Sequence, residues 1–161
     1  MWVYKKNHSG AANAGYHELE AYLNLYINFK LKVLDARAIG LDADTAYKTE
    51  INGYENALKA QKKSSPKNLE YGFIMNEYRE GVLMFNISEK KIWSKAWDNE
   101  DKLREFYSAN ISKYENKNFD EVRGAVIADY QQSLENEWIK TLRTKYTVKI
   151  NEDELKKLAK L

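Results

Sequence analysis

The stretch Phe119–Leu161, FDEVRGAVIADYQQSLENEWIKTLRTKYTVKINEDELKKLAKL, constrains the fold more than any other part of the chain. Val122, Val126, Ile127, Tyr130, Leu134, Trp138, Ile139 and Leu142 recur at three- and four-residue steps. That spacing puts them on one stripe of a long helix. A helix with such a stripe is stable only against something that covers it, so the run reads as the closing element of a larger helical body. Tyr146–Ile150, YTVKI, then alternates and is β-branched, which predicts a short strand. Asn151 or Asp153 caps a last helix carrying Leu155, Leu158 and Leu161.

The same periodicity runs through the preceding residues. Trp2–Asn7 reads as the end of an element, and Ser9–Gly15 as a small, Gly-rich loop. Leu19, Tyr22, Leu23, Tyr26, Ile27, Leu31 and Leu34 mark a first helix, with Gly40 stopping it at C′. Asp42 is the expected N-cap of a second helix marked by Ala46, Tyr47, Ile51, Tyr54 and Leu58, which ends near Lys63. The chain's single proline, Pro66, follows Ser64 and Ser65 and breaks it. A third helix spans Asn68–Phe85, with an apolar stripe of Leu69, Phe73, Ile74, Tyr78, Val82 and Phe85. Asn86-Ile87-Ser88 is expected to interrupt it, Ser88 capping a short helix that carries Ile92, Trp93 and Trp97. Another helix opens at Asp98, Lys113–Asn118 is a polar loop, and Asp120 is the expected cap of the long helix. The fold class is therefore mainly α: about six helices, the long C-terminal one packing back on the N-terminal ones, plus one short C-terminal strand. The 161 residues suit a single domain, with an N-terminal helical part over 1–63 and a C-terminal part over 68–161.

The residue types exclude most chemistry. There is no cysteine, which removes disulfides and thiolate metal sites. The two histidines, His8 and His17, lie in or beside the Gly-rich loop without the spacing a metal ion needs, and no metal or cofactor is expected. No phosphate-binding glycine loop and no nucleophile elbow occurs. Acidic pairs such as Asp42/Asp44 and Glu135/Glu137 sit at helix starts or on polar faces, where dipole and capping account for them. Net charge is +2, too balanced for charge-driven nucleic-acid binding. Lys59–Lys67, KAQKKSSPK, is the one concentrated basic run and reads as an exposed helix end. No apolar run approaches the ~20 residues of a membrane span, and no signal-peptide apolar region follows Met1. Twelve tyrosines and four tryptophans stand out; such side chains serve cores and wet binding surfaces alike. Trp93, Trp97 and Trp138 are assigned to core or boundary.

Three stretches carry a resemblance to a known family. Leu19–Leu58, Asn76–Tyr114 (NEYREGVLMFNISEKKIWSKAWDNEDKLREFYSANISKY) and Phe119–Asn151 resemble the helical core of the SurA-like periplasmic chaperones and parvulin-type peptidyl-prolyl isomerases, in their Bacteroidetes-like form. The resemblance implies an ATP-independent holdase for unfolded envelope or outer-membrane proteins, working in the periplasm. Its partners would be unfolded or aromatic-rich polypeptides, with homodimerisation also open. In that family isomerase domains sit between the first and second stretches. Here only Lys59–Leu69 joins them, so isomerase activity is not carried over and no enzyme is expected. The resemblance also gives Tyr146–Ile150 a partner strand near the N-terminus. Tyr26, Phe29, Tyr71, Met75, Tyr78 and Met84 are the candidate client-contacting residues, Phe29 because it falls off its helix's main stripe and the methionines because they adapt to varied partners. The alternative is a structural or protein-interaction module with no clients, distinguished by a filled core and a uniformly charged surface.

Overall fold

The computed structural model describes residues 15–60 and 69–159. Trp2–Asn7, most of the Gly-rich loop, the Ser64-Ser65-Pro66 break, most of the basic run and Leu161 lie outside those residues. Within them the protein is mainly helical. Helix α1 spans Tyr16–Ala38, α2 Thr45–Ala60, α3 Leu69–Ser88, α4 Ser94–Asp98, α5 Glu100–Ala109, α6 Phe119–Lys145 and α7 Glu152–Leu158. Short 3₁₀ turns cover Leu41–Ala43 and Ile111–Tyr114, and a π-turn over Glu89–Trp93 joins α3 to α4.

The C-terminal strand expected at Tyr146–Ile150 is not formed. No strand exists among the described residues, so nothing there can pair with its backbone groups. Tyr146 is extended (φ −116°, ψ 128°), and Val148 and Ile150 are exposed. The segment is an extended connection between α6 and α7.

Several helix ends fall one or two residues from their expected places. Gly40 does terminate α1, with φ at +77° in the left-handed region. The cap of α2 is Asp44 and not Asp42: its Oδ1 accepts from the Ala46 amide at 2.7 Å, while Asp42 sits in the preceding 3₁₀ turn. Asn99, the neighbour of Asp98, caps α5, accepting from the Lys102 amide at 3.0 Å. Asn118 begins α6 in place of Asp120; the Glu121 carboxylate reaches back to the Asn118 amide at 3.1 Å. Asn151 caps α7, accepting from Glu154 at 3.1 Å. Asn86-Ile87-Ser88 does not break α3. Ile87 and Ser88 are buried, and the Ser88 hydroxyl donates within the helix to Met84 Sδ at 3.6 Å, so packing overrides their weak propensity.

Helix α1 is the organising element and packs on α3, α6 and α7. The main core joins Leu31, Val33 and Ala36 of α1, Tyr47, Ile51 and Leu58 of α2, Met75, Leu83 and Ile87 of α3, and Trp138 and Leu142 of α6. Each buried Val, Leu, Ile or Met among them contributes about 1.5–3 kcal/mol by leaving water. A second cluster, Leu103, Tyr114, Phe119, Val126 and Ile127, fixes α5 against the start of α6. A third, small one joins Leu19 to Leu155, tying α7 to the start of α1.

Buried charges pin these helices at defined positions. Asp35 on α1 is 4% exposed and accepts from Lys91 Nζ at 2.5 Å, Trp138 Nε1 at 2.9 Å and Lys145 Nζ at 3.4 Å. Glu80 on α3, equally buried, accepts from Lys30 through both oxygens and from Arg37 at 3.5 Å. Lys32 donates to Glu135 at 2.5 Å. No buried side-chain polar atom among the described residues lacks a partner.

Candidate functional site: an aromatic groove between two helices

Helices α2 and α3 run antiparallel. The pairings step from Tyr47 with Arg79, through Glu50 and Tyr54 with Tyr78, to Glu55 with Tyr71. Along this seam the Tyr71 hydroxyl donates to Glu55 at 2.9 Å, and the Tyr47 hydroxyl to the Arg79 carbonyl at 3.4 Å. Beside the seam lies an open groove of about 560 Å³. Ile74, Tyr78, Gly81, Val82 and Phe85 form its α3 wall, and Glu50 and Tyr54 its α2 wall. The α3 residues fall at i, i+4, i+7, i+8 and i+11, one face of a helix.

Three features shape the groove. The Tyr54 and Tyr78 rings stack at 3.6 Å between centroids and 6° between planes, giving a flat aromatic floor. The Tyr78 hydroxyl donates to Glu50 at 3.2 Å; burial, and then that bond, raise its pKa. Gly81 has open space where a Cβ would stand, and this keeps the groove from filling. Phe85 closes one end with its ring 55% exposed, in edge-to-face contact with Trp93 at 4.9 Å.

The π-turn explains the Phe85–Trp93 contact. Eight α-helical residues would rotate Trp93 by ~80° from Phe85, since each residue turns about 100°. A π-turn absorbs one extra residue and returns Trp93 to the Phe85 face. Trp97 follows at i+4 and is 59% exposed, contrary to its assignment to core or boundary.

The expected contact residues are spread through the molecule. Tyr78 is in the groove. Tyr71 and Met75 are buried in the main core, Met75 at 1% exposure, so its thioether meets neighbouring side chains. Met84 and Phe29 are half-buried against the same core. Tyr26 stacks on Phe29 at 5.9 Å, with Lys30 Nζ 5.8 Å from its ring centroid. Burial raises the Tyr26 pKa, and the charge of Glu77, which also lines the groove, adds to this. Tyr54, Ile74 and Phe85 had the spacing of buried stripes, which hid their part in the groove. Gly81, seven residues after Ile74, was the available sign of an open face.

Burial would push Asp35 up, but the bonds from Lys91, Trp138 and Lys145 outweigh it and hold the carboxyl below its ordinary value, so it accepts no proton near neutral pH. No three His, Asp or Glu side chains among the described residues are placed to share a metal ion. His17 is exposed, with Nδ1 3.7 Å from Glu20. No helix among the described residues is long and apolar enough to cross a membrane. No family model, curated protein or solved structure matches this chain.

Proposed function

We propose that the protein is a polypeptide-binding helical domain that holds aromatic-containing, unfolded segments in the α2–α3 groove without nucleotide. One observation carries this reading: an open groove floored by the Tyr54–Tyr78 stack and edged by the exposed Phe85. Aromatic faces offer large contact area at small entropic cost and accept many sequences, as a holdase requires. The sequence resemblance to SurA-like chaperones supports the same reading and extends it to unfolded envelope or outer-membrane clients in the periplasm.

The test is suppression of aggregation of an urea-unfolded β-barrel protein on dilution, followed by light scattering. Suppression at micromolar protein is expected, weakened by Phe85→Ala. Unchanged scattering at large molar excess would sink the proposal. The protein is expected to leave the rate of a proline-limited refolding reaction unaltered.

A second reading, a structural module without clients, draws on the complete pairing of the buried charges around Asp35 and Glu80. It gains if the protein self-associates in sedimentation and leaves scattering unchanged.

A further inference from the structure

The segment between α6 and α7 has the form of a strand without a neighbour. Both its ends are fixed. The Tyr146 amide donates to the Leu142 carbonyl at 2.9 Å and its ring packs on the main core, while Asn151 caps α7, which Leu155 holds on Leu19. Tyr146 and Asn151 both have extended backbone angles. Thr147, Val148, Lys149 and Ile150 between them are exposed, and none of their backbone groups bonds to another backbone group among the described residues. An exposed edge of this kind is a template for a second strand, and a chain already held extended loses little freedom on pairing.

In an extended chain the N–H and C=O groups of successive residues point to opposite sides. The Tyr146 amide turns inward to Leu142, so Val148 and Ile150 share its side, and Thr147 and Lys149 present their groups outward. Antiparallel pairing through Thr147 and Lys149 with an identical segment centres on Val148. Val148 then stands opposite Val148 of the second copy, Tyr146 opposite Ile150, and Thr147 opposite Lys149. The first two are the β-branched and aromatic pairs that stabilise a ladder, and Val148 takes the site where facing side chains come closest. No like charges stand directly opposite each other.

The flanks fit the same arrangement. Helix α6 ends on Arg143 and Lys145, and α7 begins on Glu152, Asp153 and Glu154. Antiparallel pairing brings the basic end of one copy to the acidic start of the other, whereas parallel pairing would bring like to like. Glu152 and Glu154 pair along their own helix with Lys156 and Lys157, and Lys145 reaches Asp35. Asp153 is exposed and has no ion pair among the described residues. The Arg143 guanidinium bonds there only to the neutral side chains of Asn28 at 3.0 Å and Asn24 at 3.3 Å. The two lie equally far outside the paired segment, so the pairing sets Arg143 of one copy toward Asp153 of the other.

We infer that a second copy of this chain is the neighbour that Tyr146–Ile150 lacks: two molecules associate about a twofold axis at Val148, through an antiparallel ribbon. The ribbon shares no residue with the α2–α3 groove and does not depend on what that groove binds. Two short strands are marginal by themselves, so the dimer is weak, with a dissociation constant of about 0.1 mM.

The test follows amide hydrogen exchange of the full chain by NMR, at concentrations about tenfold below and about tenfold above that constant. Mass action lowers the monomer fraction about fourfold between them, so the Thr147 and Lys149 amides are expected to exchange about fourfold more slowly in the concentrated sample. The Val148 and Ile150 amides are expected to keep their rates. Lys149→Pro removes an amide from the ladder and is expected to weaken dimerisation about tenfold or more in sedimentation equilibrium. Lys149→Ala keeps that amide and is expected to stay within about twofold of the parent. Arg143→Glu is expected to weaken the dimer about threefold, and Arg143→Glu/Asp153→Arg to restore it. Circular dichroism shows whether Lys149→Pro is folded; if it is not, the exchange comparison on the unaltered chain decides. Thr147 and Lys149 rates that ignore concentration overturn the inference. If those amides are protected even in the dilute sample, the neighbour is a segment of the same molecule and the inference falls as well. Dimerisation that a folded Lys149→Pro leaves intact also overturns it, because another face then carries the contact.

Discussion

At the scale of the residue, Asp35 decides most. Its carboxylate is the common acceptor for three donors on two later elements, the π-turn and α6. Asp35→Ala strands the Trp138 indole N–H in a buried site, while Lys91 and Lys145, each partly exposed, turn to water. The expected cost is about 2 kcal/mol, mostly the unmet indole, read from urea midpoints. Asp35→Asn keeps an acceptor for the indole and costs less. Because the carboxyl is held below its ordinary value of 3.8, its stabilisation is complete above that pH and is lost as pH falls through the lower native value. Asp35→Asn should therefore show a shallower loss of stability below about pH 4 than the parent; parallel acid limbs would contradict this. Tyr114 gives the opposite limb. Burial, followed by its 3.0 Å bond to Asp129, pushes its hydroxyl from 10.0 up to about 12. The unfolded chain ionises first, so this contribution is present below pH 10 and is lost as pH rises toward 12. Tyr114→Phe should flatten the alkaline limb of a pH–stability curve, and an unchanged limb would count against it. Neither residue's role was legible in the sequence. Asp35 looked like one more polar position on an amphipathic helix, because its donors stand 56, 103 and 110 residues away.

At the scale of the element, the helices were legible and their ends less so. Apolar spacing reports the face a helix buries, and α6 buries Val126, Ile127, Trp138 and Leu142 as its stripe requires. Caps depend on one hydrogen bond at one backbone geometry. At two sites the cap lay two residues from the aspartate expected there: Asp44 after Asp42, and Asn118 before Asp120. The expected strand failed for a different reason. Alternation in Tyr146–Ile150 describes one strand's preference, and a strand exists only with a neighbour. The π-turn left no sign in the spacing, since one inserted residue looks like any other, and the aromatic ridge from Phe85 to Trp97 stayed hidden with it. The stop at Gly40 was plain, because only glycine adopts φ +77° without strain. Gly40→Ala should cost about 1–2 kcal/mol in thermal or urea unfolding. No atom stands near the added methyl, so the backbone alone is at issue. A neutral result would mean that the α1–α2 junction adapts.

At the scale of the whole molecule, the mainly α class and the return of the C-terminal helix onto α1 were readable, because a long amphipathic stripe demands a cover. The groove was not readable, since it arises where two helices leave a seam partly uncovered. A chain ending at Asn118 loses Trp138 and Leu142 from the main core and two of the three donors to Asp35. It should lose its cooperative thermal transition in calorimetry. Removal of α7 alone uncovers Leu19 and little else of the core, and should only lower the transition. A sharp transition in the shorter chain would show that α1–α3 form a body without α6. The distance between partners along the chain has a further consequence, during synthesis. Lys32 and Asp35 wait for residues made 103 positions later, and Asn24 for one made 119 positions later. At typical elongation rates of ~5–20 residues per second, the face of α1 that α6 will cover stays open for about 5–20 seconds after it leaves the ribosome. A protein proposed to hold unfolded segments thus passes through an interval in which its own first helix is one.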